Sequence, residues 1–202
     1  MDFFLLVLMA GTTVHMLKAA EQRKRIALLA SHLSQFQIER LMQTLTDGYL
    51  RALGETNPTR REQVWALLSS SEIQLGEQFT RFAQSFAQVS EQQARTSKLP
   101  LALPFATQLL PALSFDARKV FALHAQGLQQ AAQNTQGLSP RDKAFTLSAE
   151  LFLMQHTCHW FCKSRTVASA RLLARHQTPY EKVLASVSPE TRRAYLALAG
   201  SH

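Results

Sequence analysis

From Leu147 to Leu172 one set of positions recurs at alternating spacings of four and three: Leu147, Leu151, Met154, Cys158, Phe161, Arg165, Ala168 and Leu172. All but Arg165 are apolar, and this is the seam of a helix packed in a bundle or coiled coil. A second stripe, Phe145, Ala149, Phe152, His156 and His159, lies on the adjacent face. Two apolar faces predict a central helix with several neighbours. The spacing carries this helix from Pro140 to about His176, opened by Ser139 as N-cap, proline at the first position and Asp142 in the first turn.

The same periodicity appears upstream. Ile26, Leu29, Leu33 and Phe36 form a stripe that Ile38, Leu41, Leu45 and Tyr49 continue after a register shift, predicting a long first helix ending near Ala52. Gly54 and Asn57-Pro58 terminate it. A second helix runs from about Thr59 to Arg95, with Val64, Leu67, Leu68, Leu75, Phe79, Phe82 and Phe86 as apolar positions. A third spans roughly Ser114 to Asn134, with Ser114 as N-cap, and Gly137 stops it. Thr178-Pro179 and Ser188-Pro189 start two short helices, the last ended by Gly200. With only 7 Gly and 7 Pro in 202 residues, and helix formers dominant, the expectation is an all-α fold resembling a four-helix bundle.

Residues 3–17 read FFLLVLMAGTTVHML and carry no formal charge. As a helix, Met1 to Leu17 is about 25 Å long, close to the ~30 Å hydrocarbon core of a bilayer. Lys18 comes next, then Arg23, Lys24 and Arg25. Basic residues after the apolar run orient the C-terminal bulk of the chain toward the cytoplasm and are drawn to anionic lipid headgroups. A secretory signal would instead place positive charge before the apolar run, where this chain has Asp2, and would carry a small-x-small cleavage site. The expectation is therefore a single-pass anchor over residues 1–17, of bacterial inner-membrane type, with residues 18–202 forming one cytoplasmic domain. The rival arrangement buries the apolar start against that domain. A second uncharged stretch, LPLALPFATQLLPALSF over 99–115, is interrupted by Pro100, Pro104 and Pro111, which forbid one continuous helix. A short helix fits between Phe105 and Leu110. The stretch is expected near the membrane surface, either capping the domain or dipping into the interface.

Net charge is +8, which attracts anionic partners. The one dense cluster of chemistry-bearing residues is His156, Cys158, His159 and Cys162, within QHTCHWFCK. Imidazole and thiolate ligate zinc, copper and haem iron, and His124 on the third helix is a further donor. One helix cannot supply four tetrahedral ligands, and the spacing matches no paired zinc pattern. Packing competes with this reading, since cysteine at a seam position behaves as a small hydrophobe. At a spacing of four on a helix the two thiols do not reach disulfide geometry, and free thiols agree with a reducing compartment. Arg171 and Arg175 share a helix face and could contact phosphate, yet no helix-turn-helix, zinc-finger or RNP motif accompanies them. HExxH, GxSxG, GxGxxG and Glu-x-x-His are all missing from the sequence. The chain thus reads as a non-enzymatic, membrane-anchored helical interaction or assembly protein with an unidentified protein partner and no cofactor. A bundle holding metal or haem at the His/Cys cluster is the alternative, and a basic nucleic-acid-binding bundle the second.

Overall fold

In the computed structural model, which describes residues 2–200, the fold is all-α, with ten α-helices among the described residues. In chain order they are α1 (Asp2–Leu33), α2 (Ile38–Gly54), α3 (Pro58–Phe86), α4 (Glu91–Ala94), α5 (Ala106–Leu109), α6 (Ala117–Gln133), α7 (Pro140–Cys162), α8 (Arg165–His176), α9 (Tyr180–Ser186) and α10 (Pro189–Ala199). Two three-residue strands, β1 (Arg95–Ser97) and β2 (Ser114–Asp116), pair antiparallel with Thr96 opposite Phe115.

Four boundaries differ from the spacing-based expectations. The expected first helix is two: the chain turns at residues 34–37, where the Gln37 amide donates to Gln78 Oε1 at 2.6 Å. The expected helix over 140–176 also breaks, at Lys163 and Ser164, because Ser164 caps α8 by accepting from the Val167 amide. The second helix stops at Phe86 rather than Arg95, and Ser90 starts the separate turn α4. Ser114 belongs to β2, so the α6 cap is Asp116, whose Oδ1 accepts from the Arg118 amide at 2.9 Å. The Ser139 and Ser188 caps stand as expected, each accepting a backbone amide three residues on.

The core is assembled from the aromatic positions of these helices. Phe79, Phe82 and Phe86 of α3 meet Phe121 of α6 and Phe161 of α7, and all five are essentially solvent-free. Their rings meet mostly edge to face, as between Phe86 and Phe121 at 4.9 Å and 90°. Gly76 lets α3 close on α6: a Cβ there would touch the Gln129 backbone at 3.4 Å. The main packed pairs are α2 with α3, α3 with α6, and α6 with α7, while α8 and α9 cover α7. Leu147, Leu151, Met154 and Phe161 are buried as the α7 seam requires. Phe145, placed on the second stripe, is instead 54% exposed with Arg141 over its ring, and Leu67 of α3 is 75% exposed.

Polar groups inside the domain are tied between helices. Tyr49 of α2 donates to Glu72 Oε1 at 2.6 Å, and Lys143 of α7 pairs with the other carboxylate oxygen of Glu72. Glu150 of α7 is fully buried and accepts from the Ser188 amide at the start of α10 at 3.0 Å. Gly127 of α6 makes room for it, since a Cβ there would lie 2.6 Å from Glu150 Oε2.

Candidate functional site

Residues 3–17 of α1 are exposed without exception. Ten of them are large apolar side chains, from Phe3 at 80% to Leu17 at 42%. They are apolar around the whole helix, the pattern of a helix surrounded by apolar material rather than one packed on a single face. By length and composition this helix is able to cross a membrane. The arrangement in which the apolar start packs on the domain is overturned by this exposure.

Contact with the domain begins at Lys18 and is made by polar side chains first. Arg25 lies over the Phe161 ring at 5.5 Å and donates to the Phe161 carbonyl at 3.3 Å. It also pairs with Glu21 at 3.2 Å, one helical turn back. Lys163 donates to Gln22 Oε1 at 3.0 Å. Further along, His32 Nδ1 meets Ser85 Oγ at 2.8 Å, and Leu29 enters the core. Of the four expected headgroup contacts, Arg23 and Lys24 are exposed. Lys18 borders a cleft between α1 and the crossover. Arg25 is occupied as a tether between α1 and α7.

The crossover between the strands lies against this part of α1. The Phe105 amide donates to Glu21 Oε2 at 3.3 Å, and Leu99, Leu101, Ala102 and Leu103 face Lys18, Glu21, Gln22 and Arg25 across the cleft. Its backbone is fixed to the domain. Trp160 Nε1 donates to the Ser97 carbonyl at 2.8 Å, the Lys98 amide to Leu113 at 2.8 Å, and Thr166 Oγ1 to the Pro100 carbonyl at 2.7 Å. α5 falls where a short helix was expected. Sequence reasoning misses Glu21; its signal is the i, i+4 pairing with Arg25 on an otherwise cationic stretch.

The His/Cys cluster is dispersed. His156 is fully buried, with Nε2 3.0 Å from Ser169 Oγ and its ring 4.5 Å from that of Tyr180. His159 faces outward, and Arg171 donates to its Nδ1 at 3.2 Å. His124 Nε2 meets Thr157 Oγ1 at 2.8 Å, and Thr157 in turn meets the Tyr195 hydroxyl at 3.3 Å. Cys158 Sγ lies 3.8 Å from Met154 Sδ, and both thiols are free. Among the described residues no group of three or more His, Cys, Asp or Glu side chains is gathered as a metal site would require. Burial pushes His124 and His156 down to about 3, so both rings are neutral at pH 7. Burial raises the Cys162 thiol to about 11 and raises Cys158 further, so neither is a thiolate near neutrality. Burial raises the Glu150 carboxyl to about 7, against the hydrogen bonds from Ser188 and Thr191 that favour its charged form.

Arg171 and Arg175 of α8 line an open surface depression with Gln155 and His159. Burial, and then the two guanidinium charges, hold His159 below the ordinary histidine range. The depression has the charge to accept an anion.

In comparison with known proteins, no family model, no curated protein and no solved structure matches the chain.

Proposed function

We propose that the chain is a membrane-anchored helical protein whose residues 18–202 act on the cytoplasmic side as an interaction or assembly domain. The observation that carries this reading is the complete exposure of residues 3–17 on a helix whose later part, through Arg25 and Leu29, is docked on the domain. Apolar side chains that the domain leaves uncovered need an apolar surrounding, and a bilayer supplies it along the length of this helix. The continuity of α1 from the apolar run through Arg25 and Leu29 into the domain supports an anchor over a removable signal. The basic residues after the run support a single pass with the domain in the cytoplasm.

Interaction rather than chemistry is supported by the state of the reactive groups. The buried histidines are neutral and each is bonded through Nε2, the thiols are protonated, and Glu72 is held by Tyr49 and Lys143. At the far end of α7 from α1, Phe145, Trp65 and Leu53 border an open groove together with Arg61, Glu62 and Arg141, a mixed apolar and charged surface that offers contact area to a protein.

The test is topology and proximity in a bacterial inner membrane carrying the full chain. Protease added to inside-out vesicles should digest the domain, and protease added to intact spheroplasts should leave it whole. Cross-linking in those membranes should give discrete larger species that disappear when residues 2–17 are removed. Digestion from the outer face, or a domain that cross-links to nothing while anchored, would refute the proposal. Stoichiometric metal or haem in the purified chain, lost on His159→Ala, would favour the cofactor reading instead.

A further inference from the structure

We infer that the crossover between β1 and β2, residues 99–113, is a second membrane contact. Its apolar side chains lie in the headgroup boundary of the bilayer that α1 crosses, and they seat the domain directly on the lipid. This inference rests on the anchor reading of residues 3–17.

The burial pattern of the crossover is inverted. Leu101, Leu103, Phe105, Leu109, Leu110 and Leu113 are exposed, Leu109 by 73%. The buried side chains of the segment are the small ones, Ala106 and Thr107. A segment that capped the domain would place its leucines inward, because burying one large apolar side chain contributes far more than burying an alanine. Six exposed large apolar residues within the thirteen positions from Leu101 to Leu113 are a density of uncovered apolar side chains that suits an interaction or membrane surface.

Position identifies the occupant. Glu21 receives the Phe105 amide and lies four residues beyond Leu17, the end of the uncharged run. Four residues of helix advance about 6 Å along the axis. The interfacial layer on each side of the hydrocarbon core is about 5–7 Å thick. The crossover is therefore held at the depth of that layer, where leucine and phenylalanine side chains reach the acyl boundary. Lys18 and Lys163 border the same cleft and suit anionic headgroups. A protein partner at this place would have to displace the lipid surrounding the emergence of α1.

The conformation of the segment agrees. Phe105 is in the left-handed region, with φ of 58°, a conformation uncommon for an aromatic residue. That strain is held in place by the Glu21 contact and by α5, where the Gln108 and Leu109 amides bond back to the Phe105 carbonyl at 2.9 Å. The ring it positions is 46% exposed beside the anchor rather than packed in the core. Backbone ties from Ser97, Lys98 and Pro100 to α7, Leu113 and α8 make the crossover a fixed platform.

The full chain, reconstituted into vesicles of phosphatidylcholine and phosphatidylglycerol, provides the test. An environment-sensitive fluorophore is placed singly through Leu109→Cys, Leu103→Cys, Phe4→Cys or Leu67→Cys, and the unsubstituted chain serves as blank for the native thiols. Lipids brominated near the headgroup end of the acyl chain are then introduced. Labels at positions 109 and 103 should lose about half or more of their fluorescence, and the label at 67 on the outer face of α3 should keep its own. If labels at 109 and 103 behave like that at 67 while that at 4 is quenched by deeper bromines, the anchor stands and lipid docking is overturned. A protein partner or a second copy is then the occupant. If the label at 4 is also unquenched, the anchor reading fails and the docking inference fails with it. The substitutions fall on exposed side chains, so unchanged helicity is expected and confirms that each label reports on the folded chain.

Discussion

The interior of α7 and the surface made by residues 3–17 and 101–113 depart from the usual partition in opposite directions. Inside, Glu150, His156 and Thr157 are polar and solvent-free, and Glu72 and His124 on neighbouring helices share that burial. Outside, ten large apolar side chains of residues 3–17 and six on the crossover face solvent. The inward polar groups find partners within the chain: Ser188 for Glu150, Ser169 for His156, Thr157 for His124, Lys143 and Tyr49 for Glu72. The outward apolar groups find none. A buried polar group without a partner costs stability, and the fold meets that cost only in part, since His124 Nδ1, His156 Nδ1 and Glu150 Oε2 are left without a hydrogen-bond partner among the described residues. Exposed apolar surface of this extent is the pattern of an interaction or membrane surface, and the crossover is tied to α1 at Glu21, one turn beyond the exposed run, through the Phe105 amide. The difference teaches where this chain ends its own packing and where its surroundings take over.

The largest effect that would break the comparison lies inside. His124 and His156 titrate near 3 when folded and near 6.5 when unfolded. Above 6.5 both states are neutral and pH has no leverage. As pH falls below 6.5 the unfolded chain takes up protons that the folded one refuses, so stability is lost down to about 3. For either ring the loss reaches about 5 kcal/mol, comparable with the whole stability of an ordinary domain. Denaturant midpoints of the full chain in detergent should fall steeply between pH 6 and 4, as followed by circular dichroism at a series of pH values. A flat profile there would mean that water reaches these rings.

Glu150 gives a smaller effect of opposite sign. Its folded value of about 7 lies above the ordinary glutamate value of 4.5. Stability contributed by the neutral folded form is full below 4.5 and is lost as pH rises to 7, by about 3 kcal/mol. Glu150→Gln should remove this descending limb and leave the histidine limb intact. Midpoints that still fall between pH 5 and 7 in that variant would show that Glu150 is not the group responsible.

The smallest effect lies outside. Leu103→Asp with Leu109→Asp should change the stability of the detergent-solubilised chain by less than about 0.5 kcal/mol, because neither side chain contributes to the core. A large destabilisation would place these leucines within the packing of the domain and erase the contrast.

Much of the fold was legible because it rests on period and punctuation. The α7 seam, the Ser139 and Ser188 caps and the phenylalanine stripe of α3 all appear in the sequence as spacing. The turn at 34–37 was legible only as a register shift between Phe36 and Ile38, which reads equally as a continuing helix. The break at Lys163 was not legible, since Ala168 and Leu172 keep the seam spacing across it and return to the core through α8. The strands are three residues long and hold no alternation to detect. At the start of α1, the apolar run was visible, while the role of Arg25 was not. A cation in a basic cluster reads as a solvated or lipid-facing charge, and only the fold brings Phe161 beneath it. The His/Cys cluster shows the reverse: four residues close in sequence are turned to different faces of one helix and into separate surroundings.

The central claim is that residues 3–17 have their apolar surroundings in a membrane and not in the domain. Alkaline carbonate extraction of membranes carrying the full chain, beside cells expressing residues 18–202, tests it directly. The full chain should stay in the membrane pellet, and the shorter chain should be released with unchanged helical circular dichroism per residue. Release of the full chain by carbonate, or loss of helical structure in residues 18–202, would contradict the account, since either result would mean that the apolar start belongs to the protein's own core.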